Sequence, residues 1–305
     1  TKEMHESGYT LLAPQMSPFH FDLLEPVFRR FGFRLEILNN ATRHAVDIGL
    51  KYVNNDACYP SIIMVGQMME AVLSGRYDTD RLALLMTQTG GGCRASNYVG
   101  FIRRALERAG LSHIPVVSLN AVGLEPNSGF SIKPYMLRDG MKALVWGDLL
   151  MRCLYRVRPY EAEPGAANAL YETWRDRCIA RLSGNAPRMS DRAVCRGIVN
   201  DFDALPLRDI PRKPRVGIVG EILVKYMPLA NNHLVDLLER EGAEVVVPDF
   251  LDFITSCVWD MDFASRALGA PAYEALVARL GVGFLNRLRR PAARALAASK
   301  RFTPP

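Results

Sequence analysis

One pattern recurs along this chain and narrows its fold more than any other feature. It is a short apolar run, a loop, a stretch with helical spacing, a glycine and a second short apolar run. Near the start it reads Thr10–Ala13, then a loop set by Pro14 and Pro18, then Phe19–Phe31 with Leu23, Leu24, Val27, Phe28 and Phe31 at helical spacing. Gly32 is the stop, and Arg34–Leu38 alternates as a strand. A second copy runs from Arg215–Val219 through a connection over Glu221–Ala230. Asn231 is the expected cap of a helix with Leu234, Leu237 and Leu238 inward, Gly242 stops it, and Glu244–Val247 is the next strand.

Between these lies a third copy. Arg81–Met86 reads as a strand, Asn97–Ala109 as a helix stopped by Gly110, and Pro115–Leu119 as the following strand. A strand–helix–strand unit of this length is a right-handed parallel crossover, so the chain reads as α/β with two related parallel-sheet domains. Pro134–Arg158 reads as one long helix, broken at Glu163-Pro164-Gly165 and followed by helices over Asn168–Leu182 and Ser190–Phe202. The expected organisation is therefore an α/β domain over residues 1–133, a helical bridge over 134–205, and a second α/β domain over 206–305 entered through the proline-rich Leu205–Pro214.

Two cysteines sit in loops of this framework. Cys58 lies in Asn54-Asn55-Asp56-Ala57-Cys58-Tyr59-Pro60, ahead of a helix expected over Ser61–Leu73 with Pro60 in its first turn. Cys93 lies in Thr87-Gln88-Thr89-Gly90-Gly91-Gly92-Cys93-Arg94, between a parallel strand and a helix. Ligands of open α/β sheets bind at that edge, and a helix N-terminus favours a thiolate. The glycine run lets backbone approach a bulky group closely. Thiolates so placed can bind metal, react or cross-link. Cys153, Cys178 and Cys195 fall on amphipathic helices and read as core residues. Cys257, beyond the Val245–Pro248 strand, is evenly balanced between site and core.

Several chemistries fit poorly. No Cys-x-x-Cys pair is present, which argues against structural zinc. His20, His113 and His233 could serve as bases, but no spacing ties one to Cys93. The glycine run lacks the Lys-Ser/Thr of a phosphate-binding P-loop. Iron–sulfur ligation tolerates cysteines from separate loops, because the cluster itself joins them. Six cysteines in 305 residues are too few for a disulfide framework, and the expected compartment is the reducing cytoplasm. No apolar run approaches the ~20 residues that span a bilayer. The net charge of +6 is scattered, and Arg287–Arg290, interleaved with apolar residues, reads as a solvated helix face. Neither nucleic acid nor membrane is an expected partner. The chain has no initiating Met and is expected to be part of a longer protein.

The two cysteine loops, together with Gly220-Glu221-Ile222-Leu223-Val224-Lys225-Tyr226, Ala143–Met151 and Arg158-Pro159-Tyr160, resemble the large bacterial relatives of the 2-hydroxyacyl-CoA dehydratases and their ATP-dependent activators. That group includes the double-cubane cluster proteins. The resemblance runs along essentially the whole chain. It implies tandem flavodoxin-like, Rossmann-like parallel-sheet domains joined by a helical segment. It also implies three cysteine ligands per subunit, Cys58, Cys93 and Cys257, for a 4Fe–4S cubane or half of a double cubane at a homodimer interface. Electrons would come from an ATP-dependent activator ATPase, fused upstream or separate.

Relatives continue past residues 298–302, so the last domain is expected to be incomplete. The Gly90, Gly91 and Gly92 amides would donate to the cluster sulfurs and Arg94 would offset cluster charge, or form a surface or helix-start salt bridge. Asn55 and Gln88 are further candidate donors, or turn and cap residues, and Asn54 reads as a turn residue. The function implied is low-potential electron transfer or reduction. The alternatives are a true 2-hydroxyacyl-CoA dehydratase subunit and a non-catalytic docking module for the ATPase, because fold and cluster do not fix a substrate.

Overall fold

The structure is a computed structural model that describes residues 7–88, 97–120, 133–187 and 189–302. The chain divides into two compact units, Thr1–Met136 with Leu223–His233, and Leu137–Ile222 with Leu234–Pro305.

The first unit is built on four parallel strands: β1 (Thr10–Pro14), β2 (Arg34–Leu38), β3 (Leu82–Gln88) and β4 (Val116–Asn120), in the order β2-β1-β3-β4. Its helices are α1 (Pro18–Arg30), α2 (Arg43–Tyr52), α3 (Tyr59–Leu73) and α4 (Tyr98–Arg108). Side chains alternate across a strand, and here both faces are apolar. Leu11, Ala13, Leu35, Ile37, Ala83, Leu85 and Val117 form one core, joined by Phe21 and Phe28 of α1. Leu12, Leu38, Leu82, Leu84, Met86 and Val116 form the other with α3 and α4. The crossover β1–α1–β2 thus covers one face, and those through α3 and α4 cover the opposite face. This is the doubly wound α/β arrangement, compatible with a Rossmann-like fold, and the reversal of winding falls between β1 and β3.

α2 was not foreseen. Its buried residues include Ala45, Ile48 and Gly49, too small a face to register as a hydrophobic stripe. It lies so close to α3 that a Cβ on Gly49 would strike the Ile62 carbonyl, and one on Gly66 the Ala45 carbonyl. Gly32 stops α1 in the left-handed region at φ +88°, as the sequence suggested.

The second unit carries α5 (Pro134–Val157), α6 (Ala166–Leu182), α7 (Asp191–Ala204), a parallel pair β5 (Arg215–Gly217) and β6 (Glu244–Val246), α9 (Leu234–Arg240), α10 (Phe250–Ala267) and α11 (Ala272–Ala297). Among the described residues only two strands pair here, so a second flavodoxin-like sheet is not shown. Between β5 and β6 the chain forms α8 (Ile222–Tyr226) and a 3-10 turn at Pro228–Asn231, and Leu223, Met227 and Ala230 join the first unit's core. Asn231 ends the 3-10 turn, its side chain donating to the Val224 carbonyl. Two details differ from expectation. Leu237, expected inward, is exposed, because α9 is only seven residues long and buries none of them. Leu137 at the start of α5 is exposed as well.

Candidate functional site

The winding reverses between β1 and β3, and the carboxyl ends of strands at such a reversal are the usual binding edge of an open α/β sheet. The chain leaves β1 through Gln15-Met16-Ser17 and leaves β3 at Gln88. The next residues carry Gly90, Gly91, Gly92, Cys93 and Arg94, which lie outside the described residues, as does the Gln88 side chain.

The β1 side of this edge is a network of buried polar groups that reaches the part-buried Asp22 carboxylate. Gln15 N–H donates to Gln67 Oε1 at 3.1 Å, and Gln67 Nε2 donates back to the Gln15 carbonyl at 3.3 Å, pinning the middle of α3 to the strand end. Gln15 Nε2 donates to Asp22 at 2.9 Å, and Ser17 N–H donates to Gln15 Oε1 at 3.2 Å. Ser17 Oγ and His20 Nδ1 are 2.7 Å apart, both fully buried, with the Tyr226 ring edge-on to the imidazole. Ser17 precedes α1 as its N-cap residue but makes no capping bond with its side chain, which is committed to His20 instead. A serine three residues before a histidine at a helix start is the sequence signal for this pair. Its complete burial makes it a positioning element of the edge and not an exposed nucleophile.

Cys58 is the N-cap residue of α3, in extended conformation (φ −62°, ψ 144°), with no side-chain capping bond. Its half-buried sulfur lies 3.6 Å from Ser61 Oγ, while that hydroxyl donates to the Cys58 carbonyl at 2.7 Å. The turn before it is set by Asn54, whose carbonyl accepts from Ala57 N–H and whose Oδ1 accepts from Asp56 N–H. Asn54 is therefore a turn residue, as read from the sequence, and Asn55 stands exposed on the same turn. Gln67 lies nine positions further along α3 than Cys58, so the cysteine sits about 13 Å along the helix axis from the β1 network at 1.5 Å per residue.

Cys257 lies beyond β6, as read from the sequence, and within a helix. Asp249 starts α10 directly after Pro248, and the apolar sequence from Phe250 carries the helix through Cys257. Its half-buried thiol is pushed above the ordinary value, first by burial and then by Asp260. Cys58 and Cys257 belong to different compact units. Among the described residues no three His, Cys, Asp or Glu side chains converge as a metal site. Cys153, Cys178 and Cys195 are core residues, with burial raising all three thiols, Cys178 and Cys195 to about 12. Among the described residues no helix is long and apolar enough to cross a membrane.

No family model, curated protein or solved structure matches the chain.

Proposed function

We propose that the chain is an iron–sulfur-binding, low-potential electron-transfer or reductase component related to the 2-hydroxyacyl-CoA dehydratases, reduced by an ATP-dependent activator and acting as a dimer. The observation that carries the reading is topological. In the doubly wound sheet the strand leading into the Gly90–Cys93 loop ends beside β1, where the winding reverses. The same unit holds a second loop cysteine, Cys58, at a helix N-terminus with its sulfur uncommitted to capping.

The donor chemistry of Cys58 fits an iron ligand. A thiolate there would meet the positive end of α3, and the half-buried setting limits water. The resemblance adds Cys93 and Cys257. For Cys257 the helical setting and raised thiol fit less well, so Cys58 and Cys93 form the core of the proposed ligand set. When bound, the group would supply one-electron chemistry at low potential. The residues' part is to hold it: Cys58 and Cys93 ligate, the glycine amides donate to sulfur, Arg94 offsets negative charge, and the apolar flank of α3 excludes water. The parallel pair β5–β6, with its intervening helix α9, supports the finer reading of a second, related α/β domain.

The test is iron and acid-labile sulfide content of anaerobically prepared protein, with paramagnetic resonance after dithionite reduction. Cys58→Ser, Cys93→Ser and Cys257→Ser are run alongside. Near-equal iron and sulfide, lost in the first two variants, is the expected result. Protein that remains iron-free after reconstitution, in this chain and in a C-terminally extended one, would overturn the reading.

A further inference from the structure

The second unit contains a pocket of about 170 Å³ between α5, β6 and the segment after α11, and its walls are cationic. At its base Glu244, only 1% exposed, accepts from three guanidinium groups. Arg156 Nη1 reaches it at 2.8 Å, Arg212 Nη2 at 3.2 Å and Arg215 Nε at 3.2 Å, while the Tyr160 hydroxyl donates at 2.8 Å. A carboxylate offers about four acceptor positions, so Glu244 is saturated. Each guanidinium has five N–H donors and stays charged at any relevant pH, so most of this donor capacity remains unspent.

The charges do not cancel. Three arginines on one carboxylate leave two positive charges. Lys300, on the same wall, forms no ion pair with a described residue and adds a third. Arg152 and Arg301 also line the pocket, but they are matched by Asp249 at 2.8 Å and Asp203 at 3.7 Å. Val245–Val247 and Phe302 supply apolar wall, which lowers the local dielectric and strengthens the field inside a concave surface. Guanidinium forks match the geometry of phosphate oxygens. The volume equals about five to six waters at 30 Å³ each and falls below the ~300 Å³ at which whole small-molecule sites begin.

We infer that this pocket binds a phosphate group, as free phosphate or diphosphate or as the terminal group of a nucleotide whose remainder stays outside. The inference does not depend on what the cysteine loops hold.

Calorimetry on the intact chain at low ionic strength, with inorganic phosphate, diphosphate and ADP in separate titrations, tests it. Binding of diphosphate at least as tight as ADP assigns the free anion. ADP binding tenfold or more tighter assigns the nucleotide. Either must weaken as salt rises. Arg215→Ala is expected to weaken binding about tenfold, equivalent to 1.4 kcal/mol. Because Arg215 also holds Glu244, Lys300→Ala is the second variant: it disturbs no ion pair among the described residues and is expected to weaken binding several-fold with unchanged hydrogen exchange in β6. No binding of any of the three at millimolar concentration would overturn the inference. So would binding undiminished in both variants.

Discussion

The two compact units bury polar groups of different kinds. Among the described residues of the first unit the buried polar side chains are Gln15, Ser17, His20, Ser61, Gln67 and Ser118, none of them a carboxylate, lysine or arginine. They lie among strands whose two faces are both apolar. Among the described residues of the second unit the buried polar residues are carboxylates, Asp139, Asp148, Glu244, Asp249 and Asp262; arginines or lysine are drawn onto Asp139, Glu244, Asp249 and Asp262, and Asp148 accepts from the α10 backbone. A four-stranded sheet covered on both sides supplies enough apolar contact to order itself. A two-stranded ladder does not, and strands so few need outside packing. In the second unit ion pairs fix where helices meet the ladder. The first unit should therefore respond to shape and the second to charge.

The largest effect expected on that basis is Glu244→Ala. It leaves Arg156 and the Tyr160 hydroxyl without their acceptor in a buried setting. Removing one partner of a buried ion pair costs about 3–5 kcal/mol. Arg212 and Arg215 are 54% and 49% exposed and relax into water, which puts the loss near the low end, about 3 kcal/mol. Urea unfolding, with hydrogen exchange to locate the change in β5 and β6, measures it. The loss should shrink at high salt. A salt-independent loss would break the contrast between the units.

Next comes Gly66→Ala in the first unit. An alanine is normally better in a helix by about 1 kcal/mol. Here its Cβ meets the Ala45 backbone carbonyl, which cannot rotate away. Overpacking costs about 1–3 kcal/mol, and a backbone obstacle puts it at the upper end, for a net loss of about 2 kcal/mol. Gly49→Ala should behave alike, by its contact with the Ile62 carbonyl. Increased protection of α2 and α3 in hydrogen exchange would show that the helices part without cost.

This packing also shows where the sequence stopped being informative. The four strands of the first sheet were legible because alternation with apolar residues on both faces has few other readings, and Gly32 and Pro60 marked helix ends by their backbone chemistry. α2 escaped because its contact surface is partly a glycine, which carries no hydrophobic signal. α8 escaped because five residues hold no period. The β1 network was not legible because Gln15 and Gln67 are far apart in sequence and join only through the crossover. Cys58 was found in the niche expected for it, ahead of a helix. Cys257 was read only as lying past the end of a parallel strand, and the helix that holds it was not legible, because Asp249 starts α10 at once after β6 and local composition does not reveal so short a connection.

The next effect concerns pH. Asp249 is pushed up to about 6, first by burial and then by the charge of Asp148, with Arg152 pulling the other way. A carboxyl whose folded value lies above its unfolded value binds more protons when folded. Its contribution to stability is fully present below about 4 and is lost as pH rises through about 6. The second unit should thus lose on the order of 3 kcal/mol from this group across that window. Asp249→Asn keeps an acceptor for Arg152 and should flatten the profile. Thermal unfolding between pH 4 and 7 decides it, and parallel profiles for the two proteins would contradict the assignment.

The smallest effect sharpens the comparison from the other side. Ser17→Ala removes the hydroxyl 2.7 Å from His20 Nδ1, at a site where both residues are fully buried. An unpartnered buried polar atom costs about 1–3 kcal/mol. His20 keeps its edge-on contact with Tyr226, and the cavity left by one hydroxyl is small, so about 1 kcal/mol is expected. The partners are a hydroxyl and an imidazole, so near pH 8 the loss should be the same at low and high salt, unlike that of Glu244→Ala. Hydrogen exchange should place it at the start of α1 and at the Leu223–His233 segment that carries Tyr226. A loss that fades with salt would mean that this edge holds a charged pair. The first unit would then use the same means as the second, and the contrast between them would fail at the place proposed for function.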